Sequence, residues 1–122
     1  MNLSRGRGIY IIDDLTELQV DDPVVVSRYV SNPLLINGHK FDLRIYVCVT
    51  SVNPLRIYVY KEGLARFASE KYSSGSSKDN KFSHLTNYSI NKKNENFIQN
   101  NDLNHDDMGF KWSLSAFCRH ME

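Results

Sequence analysis

The sequence has little cysteine, almost no net charge and no long apolar run, and each shortage removes a class of protein. Only two cysteines, Cys48 and Cys118, occur in 122 residues. Their isolation excludes a disulfide framework and a cysteine-based metal clip, and it fits a reducing intracellular compartment. The formal net charge is only +1, so bulk electrostatics require neither nucleic acid nor an anionic membrane as partner. The opening Met1-Asn2-Leu3-Ser4-Arg5-Gly6 has no apolar signal core, and no stretch approaches membrane-spanning length. A soluble, cytosolic chain is therefore expected. Internal repeats are absent as well.

What is present suits one folded domain with a modest core. Hydrophobic residues make up 41% and aromatics 11% of the chain, too many for a disordered segment. The clearest pattern runs from Phe41 to Thr50, where Phe41, Leu43, Ile45, Val47 and Val49 alternate with Lys40, Asp42, Arg44 and Tyr46. That period of two predicts a strand with one apolar face. Ser51-Val52-Asn53-Pro54 predicts a turn, Leu55 to Tyr60 a second strand, and Leu64 to Ala68 a third after Lys61-Glu62-Gly63, giving an antiparallel meander. Ile9-Tyr10-Ile11-Ile12 reads as a buried strand and Val24 to Val30 as another β-branched run. Asp14 caps a short helix that Glu17 answers three residues on. Asn32-Pro33 and Asn37-Gly38 punctuate the chain around Leu34-Leu35-Ile36. The stretches 73–80 and 92–107 read as loops, the second a long Asn-rich excursion. From Lys111 onward Trp112, Ala116 and Phe117 recur at helical spacing.

Several groups of residues could carry chemistry. Lys40, Asp42 and Arg44, spaced about 6.6–6.8 Å apart on one strand face, make a charged row about 13 Å long. Such a row can follow nucleotide phosphates with Asp42 holding the cations, or it can be the solvated side of a two-sided sheet. Arg5-Gly6-Arg7-Gly8 offers close backbone approach and guanidinium charge to a phosphate. It matches neither the Walker loop nor the dinucleotide fingerprint, because a strand follows it where those motifs need a helix; a plain loop and an RNA-binding Arg-Gly tract are the other readings. Phe82 to Ser89 holds hydroxyls and an amide that can bind ribose, phosphate or an amino acid, or close a turn. His105-Asp106-Asp107 has metal-ligand chemistry but lies in the Asn-rich excursion.

Taken in order, SRGRG, VSRYVSNPLLINGHKFDLRIYVCVTS, PLRIYVYKEGLARFAS and HLTNYSINKK strongly resemble the tubulin tyrosine ligase-like family, and within it the polyglutamylases most of all. The likeness covers nearly the whole chain and is weakest from Asn94 to Gly109. It implies an α+β, ATP-grasp-like fold, an antiparallel β-meander with a few helices, in which sheets sandwich ATP beneath a glycine-containing loop. By this resemblance Arg5 and Gly6 match the loop over the phosphates. Ser27, Arg28, Tyr29 and Val30 match the hinge whose backbone meets adenine. Lys40, Phe41 and Asp42 match a nucleotide-contacting strand, and Thr86 with Asn87 match further ATP contacts. Arg44 and Arg66 match catalytic positions, Arg44 facing phosphate and Arg66 meeting the incoming amino acid. Tyr88, Ser89 and Lys111 look like amino-acid-side positions.

The implied reaction is carboxylate activation. ATP phosphorylates a glutamate side chain on a tubulin C-terminal tail, and the amine of free L-glutamate then displaces phosphate to close an isopeptide bond. ATP and Mg2+ are the implied cofactors, tubulin and microtubules the implied partners, and cytoplasm, microtubule cytoskeleton, cilium or basal body the implied places. Family members carry a phosphate-binding lysine before the glycine loop and magnesium ligands well downstream. Residues 1–122 are therefore expected to be a partial ligase domain lacking its N-terminal part and its C-terminal magnesium-binding part, weak or inactive alone. A non-catalytic nucleotide- or tubulin-binding module derived from the family is the alternative. Glycine or tyrosine in place of glutamate, α- or β-tubulin, and initiation or elongation stay open at this point.

Overall fold

Asp14-Leu15-Thr16-Glu17 folds as its spacing predicts. The Asp14 carboxylate accepts the Thr16 amide at 2.8 Å, the Glu17 carboxylate reaches back to the Asp14 amide at 3.3 Å, and Leu15–Glu17 forms a 3-10 turn between them. Reciprocal capping of this kind satisfies amides that a helix start would leave unpaired. The computed structural model describes residues 8–18, 23–75, 78–100 and 105–122.

Asn37 and Gly38 both have positive φ, 52° and 81°. This is the combination that a two-residue hairpin turn with the twist of its strands requires. It joins β1 (Leu35–Ile36) to β2 (His39–Arg44). The alternating run read as one strand from Phe41 to Thr50 is divided, because β2 ends at Arg44 and β3 (Val47–Val52) begins after Ile45-Tyr46. Among the described residues β3 pairs only with β4 (Leu55–Val59), across a turn holding a cis Asn53-Pro54 bond. The chain then returns as β5 (Leu64–Lys71), which pairs with β2 instead of with β4. β6 (Lys111–Ser113) adds to the far side of β5. The four-stranded sheet has the order β1-β2-β5-β6, and the β3–β4 hairpin projects from it as a separate two-stranded sheet. The antiparallel strands of the expected meander are present, with the hairpin inserted between two strands that pair with each other.

Gly63 makes the return possible. A Cβ there would lie 2.5 Å from the Arg44 carbonyl oxygen, closer than real side chains sit. The chain must pass this close to bring β5 against β2, so glycine is required at the crossing.

One face of the four-stranded sheet carries the core. Ile36, Ala65, Phe67, Trp112 and Ala116 are buried together, with Phe41, Phe110 and Phe117 packed around them. Phe67 is the hub, its ring centroid 4.7 Å from Trp112 and 5.8 Å from Phe41. The expected helix after Lys111 starts three residues later, as α3 (Leu114–Met121), so Trp112 enters the core from a strand while Ala116 and Phe117 enter from the helix. Two short helices, α1 (Lys81–His84) and α2 (Tyr88–Asn91), pack against β5. In the Asn-rich stretch the Phe97 ring stacks on Phe110 at 5.7 Å, tying the described part of that excursion to the sheet.

The strand expected at Ile9 to Ile12 does not form, and the β-branched run Val24 to Val30 also stays outside the sheets of the described residues, with Val25 98% exposed. Residue type favours a strand here, but among the described residues no sheet edge offers these segments a ladder. The β3–β4 hairpin is unburied in a different way. Cross-strand register places Val47 with Val59, Val49 with Ile57, and Val52 with Leu55 on one side, and these six are 52–84% exposed.

Glu62 fixes the start of α3. Its carboxylate accepts the Ser115 hydroxyl at 2.6 Å, the Gly63 amide at 2.9 Å and the Ser115 amide at 3.2 Å. The Ser115 hydroxyl first, then the Gly63 amide, hold this carboxyl below the usual glutamate range. Because the folded group titrates below the unfolded one, the unfolded chain takes the proton first as pH falls. The contribution is complete above about pH 4.5 and is lost as pH drops through the folded value. Glu62→Gln is therefore expected to flatten the acid side of a melting-temperature-against-pH curve. Asp14, Glu17 and Asp106, lowered in the same direction, retain the rest of the slope.

Candidate functional site

The face of the sheet opposite the core collects the charges. Lys40, Asp42 and Arg44 alternate along β2, so they share one side. Asp42 stands directly across from Arg66 on β5, and Arg66 directly across from Lys111 on β6. Residues opposed in an antiparallel pair project to the same face. Four cations, Lys40, Arg44, Arg66 and Lys111, therefore share a face with two anions, Asp42 and Glu70, the second engaged by Asn80 and Asn94. The excess positive charge suits anionic substrates.

Asp42 grips Arg66 through two hydrogen bonds, from Nε to Oδ1 at 2.9 Å and from Nη2 to Oδ2. The Arg66 side chain is 19% exposed and that of Asp42 40%. This bond pushes the guanidinium further above its already high value, so Arg66 stays charged. A fork held by one edge cannot rotate freely, and a second carboxylate must approach by another edge.

Lys40 lies in a half-buried cluster two residues away. Its Nζ donates to the His84 carbonyl at 3.0 Å and to the Tyr29 hydroxyl at 3.2 Å, and it sits 4.4 Å from the centre of the Tyr29 ring. The Tyr29 hydroxyl also shares a 2.8 Å hydrogen bond with Nδ1 of His84. Burial lowers the Lys40 ammonium and the charge of Asp42 pushes it back up. Burial, then the neighbouring Tyr72 hydroxyl, raise Tyr29. Tyr72 adds an edge-on contact to the His84 ring at 5.5 Å and donates to the Ser31 carbonyl at 2.6 Å. Three separate segments thus meet at one ammonium group.

The remaining sequence candidates divide. Arg5 and Gly6 lie outside the described residues. Of the hinge, Tyr29 turns its side chain inward, while Ser27, Arg28 and Val30 are exposed in a stretch outside the helices and strands. The Phe41 ring belongs to the core, 5.2 Å from that of Phe117, so its side chain is turned from the charged face. Thr86 is buried; Asn87 precedes α2 and Ser89 lies within it, both half-buried. Tyr88 is exposed, its ring 5.7 Å from Phe97 and beneath the Lys92 ammonium at 5.6 Å. Asp106 is engaged by the Ser113 hydroxyl and by Arg119. His84, Tyr72 and Asn91 join the site through burial and do not stand out individually in the sequence. The one signal available was the presence of His84 and Asn91 in the segment HLTNYSINKK, since neither pattern nor spacing marks them.

Among the described residues, the side chains do not make a magnesium site. Asp42 is committed to Arg66, and among the described residues no group of three or more His, Cys, Asp or Glu side chains could hold a metal ion.

A sheet with its core on one face and a cation-rich row on the other, flanked by short helices, is an α+β unit, in keeping with the ATP-grasp-like fold that the family resemblance implies. The chain belongs to the Tubulin-tyrosine ligase family, whose profile matches residues 1–122. Tubulin polyglutamylase TTLL5 of Mus musculus is 50% identical over 120 residues, which are 98% of this chain and 9% of that protein. Tubulin polyglutamylase ttll-5 of Caenorhabditis elegans is 48% identical over 123 residues, covering 99% of this chain and 17% of its own length. Tubulin monoglutamylase TTLL4 of Homo sapiens is 51% identical over 122 residues, covering 97% and 10%. The chain thus spans 9–17% of the length of these three relatives.

Proposed function

We propose that this chain is the central part of an ATP-dependent ligase that adds L-glutamate to glutamate side chains of tubulin C-terminal tails. The observation that carries the reading is the row Lys40, Asp42, Arg44, Arg66 and Lys111 on one face of the sheet, in a chain about half identical to two tubulin polyglutamylases and a tubulin monoglutamylase. Each reactant in such a ligation is anionic: a nucleotide triphosphate, a tail carboxylate and the carboxylates of free glutamate. Lys40 and Arg44 neutralise phosphate charge, with Tyr29 and the rest of the hinge beside the base. Arg66, held by Asp42, receives a carboxylate of the incoming amino acid, and Lys111, Tyr88 and Ser89 line the same side. Thr86 and Asn87 complete the nucleotide contacts, and Arg5 and Gly6 close over the phosphates. Positioned charge of this kind both aligns the reactants and stabilises charge that develops on the transferring oxygens. ATP supplies the leaving phosphate; magnesium, held by residues beyond these 122, accompanies it.

Microtubules are the proposed partner and the microtubule cytoskeleton of the cytoplasm, including cilium and basal body, the proposed place. Among the described residues no helix is long and apolar enough to cross a membrane.

A segment exchange tests the proposal. The 122 residues replace the matching 120-residue stretch of the mouse polyglutamylase, and the chimera is given tubulin, ATP and labelled glutamate, glycine or tyrosine in parallel. ATP-dependent incorporation of glutamate alone is expected. Incorporation of glycine or tyrosine instead would reassign the amino acid, and a folded chimera that binds ATP but transfers nothing would leave a binding module.

A further inference from the structure

Asn91 is 1% exposed, and it and Ser83 are the largest fully buried side chains among the described residues. A buried carboxamide is costly unless each of its polar atoms finds a partner. Here all of them do. Oδ1 accepts the Ser69 amide at 2.8 Å and the Ser69 hydroxyl at 2.8 Å, while Nδ2 donates to the Leu85 carbonyl at 2.7 Å and to the Asn87 carbonyl at 3.0 Å. Two donors meet the oxygen and two acceptors meet the nitrogen, so the amide has one orientation only.

The partners fall on two separate pieces of chain. Ser69 lies on β5, three residues beyond Arg66. Leu85 and Asn87 bracket Thr86. The side chain therefore bolts the Leu85–Asn87 backbone to the strand that carries the held arginine. α2 does not need this bolt for its own turn, because the Asn91 backbone amide already donates to the Asn87 carbonyl at 3.0 Å.

We infer that Asn91 is a positioning residue for nucleotide binding: it sets Thr86 and Asn87 at a fixed place relative to β5 without touching the ligand. The inference rests on the reading of Thr86 and Asn87 as ATP contacts. It goes beyond a packing role, because the two acceptors it holds lie on the recognition segment itself.

Two variants separate positioning from packing. Asn91→Asp keeps the size and the acceptor facing Ser69 but places a carboxylate oxygen against two carbonyls, which pushes the segment away. Ser69→Ala removes one hydroxyl contact and leaves both bonds to the segment intact. ATP affinity by calorimetry with magnesium, and amide hydrogen exchange at Thr86, Asn87 and Tyr88, are measured on the folded chain well below each melting transition. Asn91→Asp is expected to weaken ATP by at least about tenfold, the scale of losing a hydrogen-bonded alignment, and to speed exchange at the three amides. Ser69→Ala is expected to lower the melting temperature while leaving affinity within about twofold, since its segment bonds survive. Should Asn91→Asp not fold, Asn91→Ser, which loses the reach without adding charge, carries the same expectation. Unchanged affinity in a folded Asn91 variant, or an equal loss in both Asn91→Asp and Ser69→Ala, overturns the inference. A folded parent chain that binds no ATP removes the nucleotide reading beneath it, whatever the variants do.

Discussion

Replacing Arg66 by lysine in the mouse chimera is expected to cut glutamate transfer about 10- to 100-fold, the loss typical of a charge-assisted bidentate contact. The charge survives this substitution, so a reading in which Arg66 merely adds positive potential predicts little change. What is lost is the planar fork. Asp42 now holds Nε and Nη2 together, and an ammonium group cannot be held by one edge while presenting another. The defect should appear chiefly as a raised KM for glutamate with the KM for ATP nearly unchanged, because Lys40 and its Tyr29–His84 cluster are untouched. The melting temperature should stay close to that of the parent chimera, since the pair is partly exposed and solvent screens such bridges. Equal losses for ATP and glutamate would place Arg66 on the nucleotide.

The second large effect concerns stability. Phe67→Ala is expected to cost about 3–5 kcal/mol, the usual range for emptying a buried aromatic site. Phe67 is only 5% exposed and joins the Trp112 ring on β6 to the Phe41 ring on β2, so its removal opens the core across three strands. Domains of this kind are stable by about 5–15 kcal/mol, so the variant should show a much lower denaturant midpoint or a partly unfolded population in water. Val49→Thr on the exposed β3–β4 hairpin is the control, expected to change stability by less than about 1 kcal/mol. Equal effects at the two positions would mean that the four-stranded sheet is not where the chain keeps its core.

The parts of the fold legible in the sequence were those specified locally. Asn37-Gly38 announces its turn because few other residue pairs tolerate two positive φ values. Asp14 and Glu17 announce their cap through a fixed spacing. Alternation from Lys40 to Arg44 correctly separates a charged side from an apolar one. The same alternation hides the break at Ile45-Tyr46, because period two persists on both sides of it. It also cannot name a partner strand: Asp42 meets Arg66 across 24 residues, and a local pattern is silent at that range. Val24 to Val30 shows the opposite failure, strand-forming residues with no edge to join. Trp112 recurs at helical spacing with Ala116 and Phe117, yet it lies on β6, because a single turn's worth of spacing fits a strand entering a helix equally well.

The candidate site was legible in the same partial way. Lys40, Asp42, Arg44 and Arg66 stood out as charges on strands, and the family resemblance gave them roles. The contacts around the site, from Lys40 to Tyr29 and, beside it, from Ser69 to the Asn91 that holds Leu85 and Asn87, join residues of ordinary type whose importance arises from burial and not from spacing.

Whether the cation-rich face binds nucleotide is tested most directly by calorimetry with ATP and magnesium on the 122-residue chain. The parent is compared with a Lys40→Ala, Asp42→Ala double variant whose fold is checked by circular dichroism. Saturable one-site binding by the parent is expected, weakened at least about tenfold in the variant, which loses the Lys40 ammonium and the carboxylate that holds Arg66. A folded parent that releases no heat, or a variant that binds as tightly as the parent, would contradict the account.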